Sequence, residues 1–384
     1  MQEKQEITIG RLNEVSRNYI QALGGQVAKV REPGLIVSGR DVVAIKRYVT
    51  TALELPCELE QIKQLLRYEV ADVPGLEPAD MQDFYQDVKL HAREWPSIET
   101  AMKTVGVDLV VFSDTLKDSG ETLIRFIEGL DGFKSAIGVI GDITTDGLEH
   151  YPLIELTDRD KGRGPTLMAL LENVRSDIHE CGQNARQVRS NITAFKNGLK
   201  GNIGPTLGLK LALLQRNGKP ESLASLESEL DAVNQDIQQH TEIFEGVLDD
   251  QYGVFAFIEA MLADDAAPSP RARLQQLFVR KRRLAAQIRH NHALQASLLS
   301  LQTDLQDLGL RVSAAASSAS NLESLWMLIL GYMDASAKRL SHLNDAVFLV
   351  VFVARLRSMI TCWSEIKGNS QDLLTAFNNA IAEG

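Results

Sequence analysis

The sequence predicts an all-α protein: an elongated helical body joined to a long antiparallel coiled-coil stalk that ends in a hydrophobic tip. Three observations predict it. The first is a set of apolar runs whose steps alternate three and four residues, a spacing that keeps a narrow seam on one side of a helix. One run is Leu171, Val174, Ile178, Cys181, Ala185, Val188, Ile192, Phe195 and Leu199. A second is Leu223, Leu226, Leu230, Val233, Ile237, His240, Phe244 and Val247, and a third goes from Leu298 through Leu305, Val312 and Trp326 to Met333. The second observation is the scarcity of helix breakers: 11 prolines in 384 residues, mostly where periodic segments stop. The third is Tyr252 to Leu262, which lies between the second and third runs and is apolar around most of a helical circumference.

The elements follow in order. Residues 1–164 form the N-terminal part of the body. There Ser38, Gly39 or Asp41 caps a helix that runs to about Glu54 and stops before Pro56. A second helix spans roughly Glu58 to Val70, and residues 73–78 form a loop with Pro78 in the first turn of the next helix. That helix continues through Trp95, with Pro96 as a kink or break, and another covers about Asp108 to Leu130. From Gly138 to Gly164 the periodicity fades into loop chemistry, with a short extended piece at His150 to Leu156.

Residues 165–248 are the descending stalk helices: Pro165 to about Lys200, an interruption at 201–220 holding a short helix from Leu207 to Leu214, and Glu221 to Leu248. Residues 249–271 are the foot, 272–333 the ascending stalk helix, and 334–384 a C-terminal helix that completes the body. Its apolar stretch Val347 to Leu356 belongs in the core, because a helix apolar on all sides is surrounded by others. The ascending arm from Arg271 to Met333 would be about 95 Å long, and the two descending pieces sum to about 96 Å. That balance places Gly253–Pro270 near one end of a rod.

Composition narrows the function. A hydrophobic share of 44% and a charged share of 24% are ordinary for a folded soluble chain. The net charge of −11 argues against a dedicated nucleic-acid binder and against simple adhesion to anionic lipid. The three cysteines, Cys57, Cys181 and Cys362, are odd in number and form no CxxC, so no disulfide framework is expected. Cys181 sits on a seam and reads as a small core hydrophobe. Met1 to Val30 lacks a signal peptide's apolar core, and no stretch reaches the roughly 18 uninterrupted apolar residues of a membrane span. The expectation is a chain made as a soluble protein and released without an ordinary secretory signal.

Tests for chemistry fail on spacing. His290 and His292 are two apart and point about 200° away from each other on a helix. The glycines of Gly162-Arg-Gly164 and of Gly198 to Gly208 match no phosphate-binding pattern, Asp142 to Gly147 matches no calcium loop, and there is no GxSxG. No catalytic residue, metal or cofactor is assigned.

The tip is different. Tyr252, Val254, Phe255, Phe257, Ile258, Met261 and Leu262 are the candidate membrane or partner contacts. The following cations Arg271, Arg273, Arg280, Lys281, Arg282 and Arg283 are candidate head-group contacts. A helix from Tyr252 to Leu262 spans about 16 Å, half of a ~30 Å hydrocarbon core, so it enters one leaflet without crossing. Glu259, with Asp249, Asp250, Asp264 and Asp265 at the flanks, makes unassisted insertion costly. Folding back onto the rod and contact with another helix are the competing uses of the same segment.

Several stretches together resemble the A component of the α-xenorhabdolysin family of binary α-helical pore-forming toxins. They are Gly75 to Gln82, Tyr151 to Lys161, Leu322 to Trp326, Tyr332 to Ser336, Leu343 to Ala346 and Trp363 to Lys367. The resemblance implies a soluble monomer with a helical body, a coiled-coil stalk and a foot that contacts the target-cell membrane. It also implies a B component as partner and a hetero-oligomeric lytic pore as product. The family's foot is glycine-rich, whereas here Gly253 is the one glycine within the apolar stretch. The alternative is a non-lytic cytoplasmic scaffold whose tip binds a protein partner and whose seams dimerise.

Overall fold

A computed structural model describes residues 36–66, 73–140, 154–217, 224–248, 270–288, 293–341 and 346–383. In chain order the helices are α1 (Gly39–Glu54), α2 (Leu59–Leu66), α3 (Pro78–Ala92), α4 (Trp95–Glu128), α5 (Asp131–Ile140) and α6 (Asp158–Gly162). Then come α7 (Gly164–Gly198), a π-helical turn (Leu199–Ile203), α8 (Gly204–Asn217), α9 (Ala224–Leu248), α10 (Pro270–Ile288), α11 (Ala293–Ser341) and α12 (Ala346–Glu383). The chain is all-α among these residues, apart from a single bridge residue at Glu155 within the expected extended piece.

Local chemistry sets the ends of the N-terminal helices. Ser38 caps α1: its hydroxyl accepts from the Asp41 N–H at 3.2 Å, while Asp41 Oδ2 accepts the Ser38 N–H at 3.0 Å. Pro78 opens α3 as expected. Pro96 does not kink a continuing helix. It sits in the first turn of α4, where a missing N–H is harmless, and the break falls at Arg93 and Glu94. The loop before α3 turns at Gly75, whose φ of 92° favours glycine, and a Cβ there would meet Leu213 Cδ1 at 2.9 Å. Lys210 of α8 pins this loop by donating to the carbonyls of Gly75 and Asp80, each at 3.0 Å.

The body is built from α4, α7, α11 and α12, with α5 and α1 packed on α12. At its centre Phe112, Trp326 and Trp363 form an aromatic cluster. Trp326 and Trp363 stack at 5.3 Å, and Phe112 meets both edge-on at 4.8 and 4.9 Å. Gly182 lets α7 approach this point, since a Cβ there would lie 3.3 Å from Trp326 Cβ. Residues Ala346–Gly368 are long and apolar enough to cross a membrane by composition. Leu349, Val350, Phe352, Val353, Leu356 and Met359 are nevertheless buried in the body, as a core helix requires. Cys181 is partly buried, and its thiol is pushed up to about 12 by burial and by Asp108, Glu180 and Asp177. It is therefore an unreactive packing residue.

The first long arm is not interrupted at 201–217, the described part of the expected break. Pro205 has no N–H to give a helical partner, and the backbone accommodates this by widening one turn: the Gly204 N–H reaches back to Leu199 O. α8 then continues the line of α7 along α11. His91 of α3 supports the turn. Its Nε2 lies 2.9 Å from the Phe195 carbonyl and its Nδ1 lies 2.8 Å from the Tyr48 hydroxyl. A carbonyl only accepts, so Nε2 carries the proton and Nδ1 accepts from Tyr48. Burial lowers the pKa of His91 from 6.5, against the Phe195 carbonyl and Glu94, which act to raise it. The folded state therefore binds fewer protons than the unfolded chain. Stability is expected to fall as pH drops below about 6.5 and to level off once both states are protonated. Urea midpoints at pH 7.5 and 5 check this, and the fall should shrink in His91→Gln.

Candidate functional site

The arm that carries the foot is α9, α10 and the first part of α11. The direction of each helix follows from its contacts. α7 and α8 run antiparallel to α11: Arg175 bonds Asp334 at 2.8 Å, Arg186 bonds Glu323 at 2.8 Å, and Leu199 lies against Gly309. Only six residues separate α8 from α9, so α9 begins near the end of the rod where α8 stops. Ile237 and Thr241 of α9 line one cavity with Leu305 and Gly309, so α9 lies alongside this part of α11.

α10 runs down again. Arg280 meets Glu229 of α9 at 2.7 Å. Lys281 donates to Gln302 and Gln306 of α11 at 2.7 and 2.8 Å, and Arg282 reaches Asp304 and Asp307 at 3.0 and 3.6 Å. In one straight helix, residues 281 and 304 would be about 34 Å apart. Their contact means that the chain doubles back between Ile288 and Ala293.

This corrects the matched-length stalk. The ascending arm is two antiparallel helices, not one continuous helix, and α7 is a body helix wedged between α4 and α11. The length balance failed because it counted residues along the chain, and a fold-back leaves no trace in that sum. The foot contacts Tyr252, Val254, Phe255, Phe257, Ile258, Met261 and Leu262 lie outside the described residues.

The basic cluster divides. Arg271 opens α10, and Arg273 and Arg283 face solvent. Arg280 is exposed but paired with Glu229. Arg282 turns toward α11, and Lys281 is 0% exposed. Lys281 is thus no head-group contact in this conformation, because its side chain fills the interior of the arm. Periodicity held the signal: Leu274, Leu277, Lys281 and Leu284 share one helical stripe, and all four are buried.

Beneath α9 the packing is incomplete. A cavity of about 630 Å³ lies between the π-helical turn, α8, α9 and α11, lined by Leu199, Pro205, Ile237, Thr241, Leu305 and Gly309. Asn234 Oδ1 is buried beside it without a partner among the described residues. No group of three or more metal-ligating side chains occurs among the described residues.

Sequence reasoning missed the acid–base chain that ties this arm to the body. Arg282 meets Asp307, Asp307 also holds Arg311 at 3.0 Å, and Arg311 reaches the buried Asp41 of α1 at 2.6 Å. The spacing of Asp307 and Arg311 was readable as a helical pair, but the partner some 270 residues away was not.

No protein-family model matches the chain, and no curated protein matches it. Solved structures do. YaxA from Yersinia enterocolitica superposes with a TM-score of 0.52 at 21% identity, covering 90% of this chain and 98% of that one. Soluble SmhB, of the tripartite alpha-pore forming toxin Smh from Serratia marcescens, superposes with a TM-score of 0.54 at 9% identity, covering 97% and 92%. XaxA from Xenorhabdus nematophila aligns at 23% identity over 91% and 99%, with a TM-score of 0.48. The chain therefore has the elongated helical fold in which alpha-pore forming toxin components such as SmhB are built. Within that class it shares the fold of YaxA over nearly the whole length of both chains.

Proposed function

We propose that this chain is a subunit of a two-component α-helical pore-forming cytotoxin. After release from the producing cell it engages the target-cell membrane through its foot and assembles with a B component into a lytic pore. The observation that carries this reading is the nearly full-length fold likeness to YaxA and to SmhB of a pore-forming toxin. The arm adds support: α9 and α10 flank the apolar segment Tyr252–Leu262 in the sequence. The B component as partner follows from the α-xenorhabdolysin resemblance. Arg271, Arg273 and Arg283 are the proposed head-group contacts, and the solvent exposure of Arg273 and Arg283 supports this role.

The scaffold reading needs open seams for dimerisation. Among the described residues the seams of α7, α9 and α11 are instead packed within the chain, α7 against α4 and α11, and Leu230, Val233 and Ile237 of α9 in its interior. Sedimentation equilibrium should therefore return the 42.4 kDa monomer across concentrations. A dimer that persists on dilution would favour the scaffold.

A further inference from the structure

Lys281 lies inside the folded arm with no exposed surface. Its Nζ donates to two neutral amides of α11, Gln302 Oε1 and Gln306 Oε1. The charges around it on every packed helix are engaged elsewhere. Glu229 of α9 holds Arg280, Asp304 and Asp307 of α11 hold Arg282, and Asp307 also holds Arg311, which reaches Asp41 of α1. Arg47 of α1 acts on Asp304. No carboxylate among the described residues pairs with Lys281.

A buried ammonium bonded to neutral amides loses more hydration than two hydrogen bonds return. An apolar side chain on the same stripe would carry no such cost. The other side of the arm is also imperfectly seated, with the cavity under α9 and the orphaned Asn234 Oδ1.

We propose that Lys281 is a built-in destabiliser of the folded-back arm, which sets how readily α10 separates from α11. Docking requires the ammonium either to shed its water or to release its proton, and separation returns it to water. The inference does not depend on the lytic reading, and it is tested without a membrane.

The sign of its pH dependence follows from burial, which lowers the Lys281 amine from 10.5 to about 7 in the docked arm. The docked state then binds fewer protons than the separated one. Docking strengthens as pH rises from about 7 toward 10.5 and is insensitive to this group below about 7.

The test is hydrogen–deuterium exchange of the α10 amides in the full chain at pH 7 and 9, corrected for intrinsic exchange. Wild type is compared with Lys281→Met and Lys281→Gln. Wild-type protection should rise about tenfold or more between the two pH values, and the variants should stay flat. At pH 7 both variants should exchange about tenfold or more slowly than wild type. Lys281→Met leaves Gln302 and Gln306 without a donor, so Lys281→Gln decides: it keeps a donor and removes the charge. If Lys281→Gln exchanges as fast as wild type at pH 7, or keeps the wild-type pH dependence, the proposal is overturned.

Discussion

Replacing Trp326 by alanine is expected to destabilise the body by about 3–5 kcal/mol, the range for removing a large aromatic side chain from a packed core. Trp326 is 1% exposed, stacks on Trp363 of α12 and meets Phe112 of α4 edge-on, while Gly182 of α7 lies against its Cβ. One side chain on α11 thus touches all three other helices of the bundle. Beside the cluster the Ser113 hydroxyl of α4 donates to the Trp363 carbonyl of α12 at 2.7 Å, tying these two helices together around the ring. The Trp326 indole N–H has no partner among the described residues, so the loss is one of packing and ring contact and not of a hydrogen bond. Met327, next along the helix, is 48% exposed, and Met327→Ala should change stability by less than about 0.5 kcal/mol. Chemical denaturation of the two variants checks the contrast, and equal effects would show that the cluster is not the centre of the body.

The second large effect is expected at the foot. The double variant Phe255→Asp with Phe257→Asp should abolish membrane permeabilisation while leaving helical content unchanged. Each aspartate would have to enter hydrocarbon charged or be neutralised, at a cost of several kcal/mol. The segment already carries Glu259, so two further carboxylates exceed what one protonation event relieves. Far-ultraviolet circular dichroism matching wild type, together with lost dye release, is the expected pair of results. Release at the wild-type rate would remove the foot from the mechanism.

The seams were legible because they are local. Leu171, Val174, Ile178, Ala185, Val188, Ile192 and Phe195 are all buried on the stripe that their spacing assigned. The start of α1, with Ser38 among three candidate caps, and the first-turn Pro78 of α3 were legible for the same reason. Described residues of three resemblance stretches hold helices to one another. Thr157 caps α6 and Asp160 caps α5, accepting from the Asp131 and Gly132 N–H groups at 3.0 and 2.8 Å. Burial alone would raise the pKa of Asp160, but hydrogen bonds from Gly132, Asp131 and Thr157 hold it below the usual value. Lys367 holds Asp114 at 2.6 Å, and Glu323 pairs with Arg186 and Arg189.

The direction of the chain between helices was not legible. Periodicity names the face a helix buries but not its partner, so the spacing that predicts one ascending arm is the same as that of a helix folded back on its neighbour. Lys281 was misread for a related reason. Among five neighbouring cations it looked like part of a charged surface, and only its place on the apolar stripe marked it as interior.

The measurement that bears most directly on the toxin assignment is dye release from liposomes and lysis of erythrocytes. The purified chain is tested alone, with the protein encoded beside it, and with that partner alone. Release is predicted only when both are present, and the foot variant should lose it. Absence of release with a cognate partner shown to bind the same membranes would contradict the assignment.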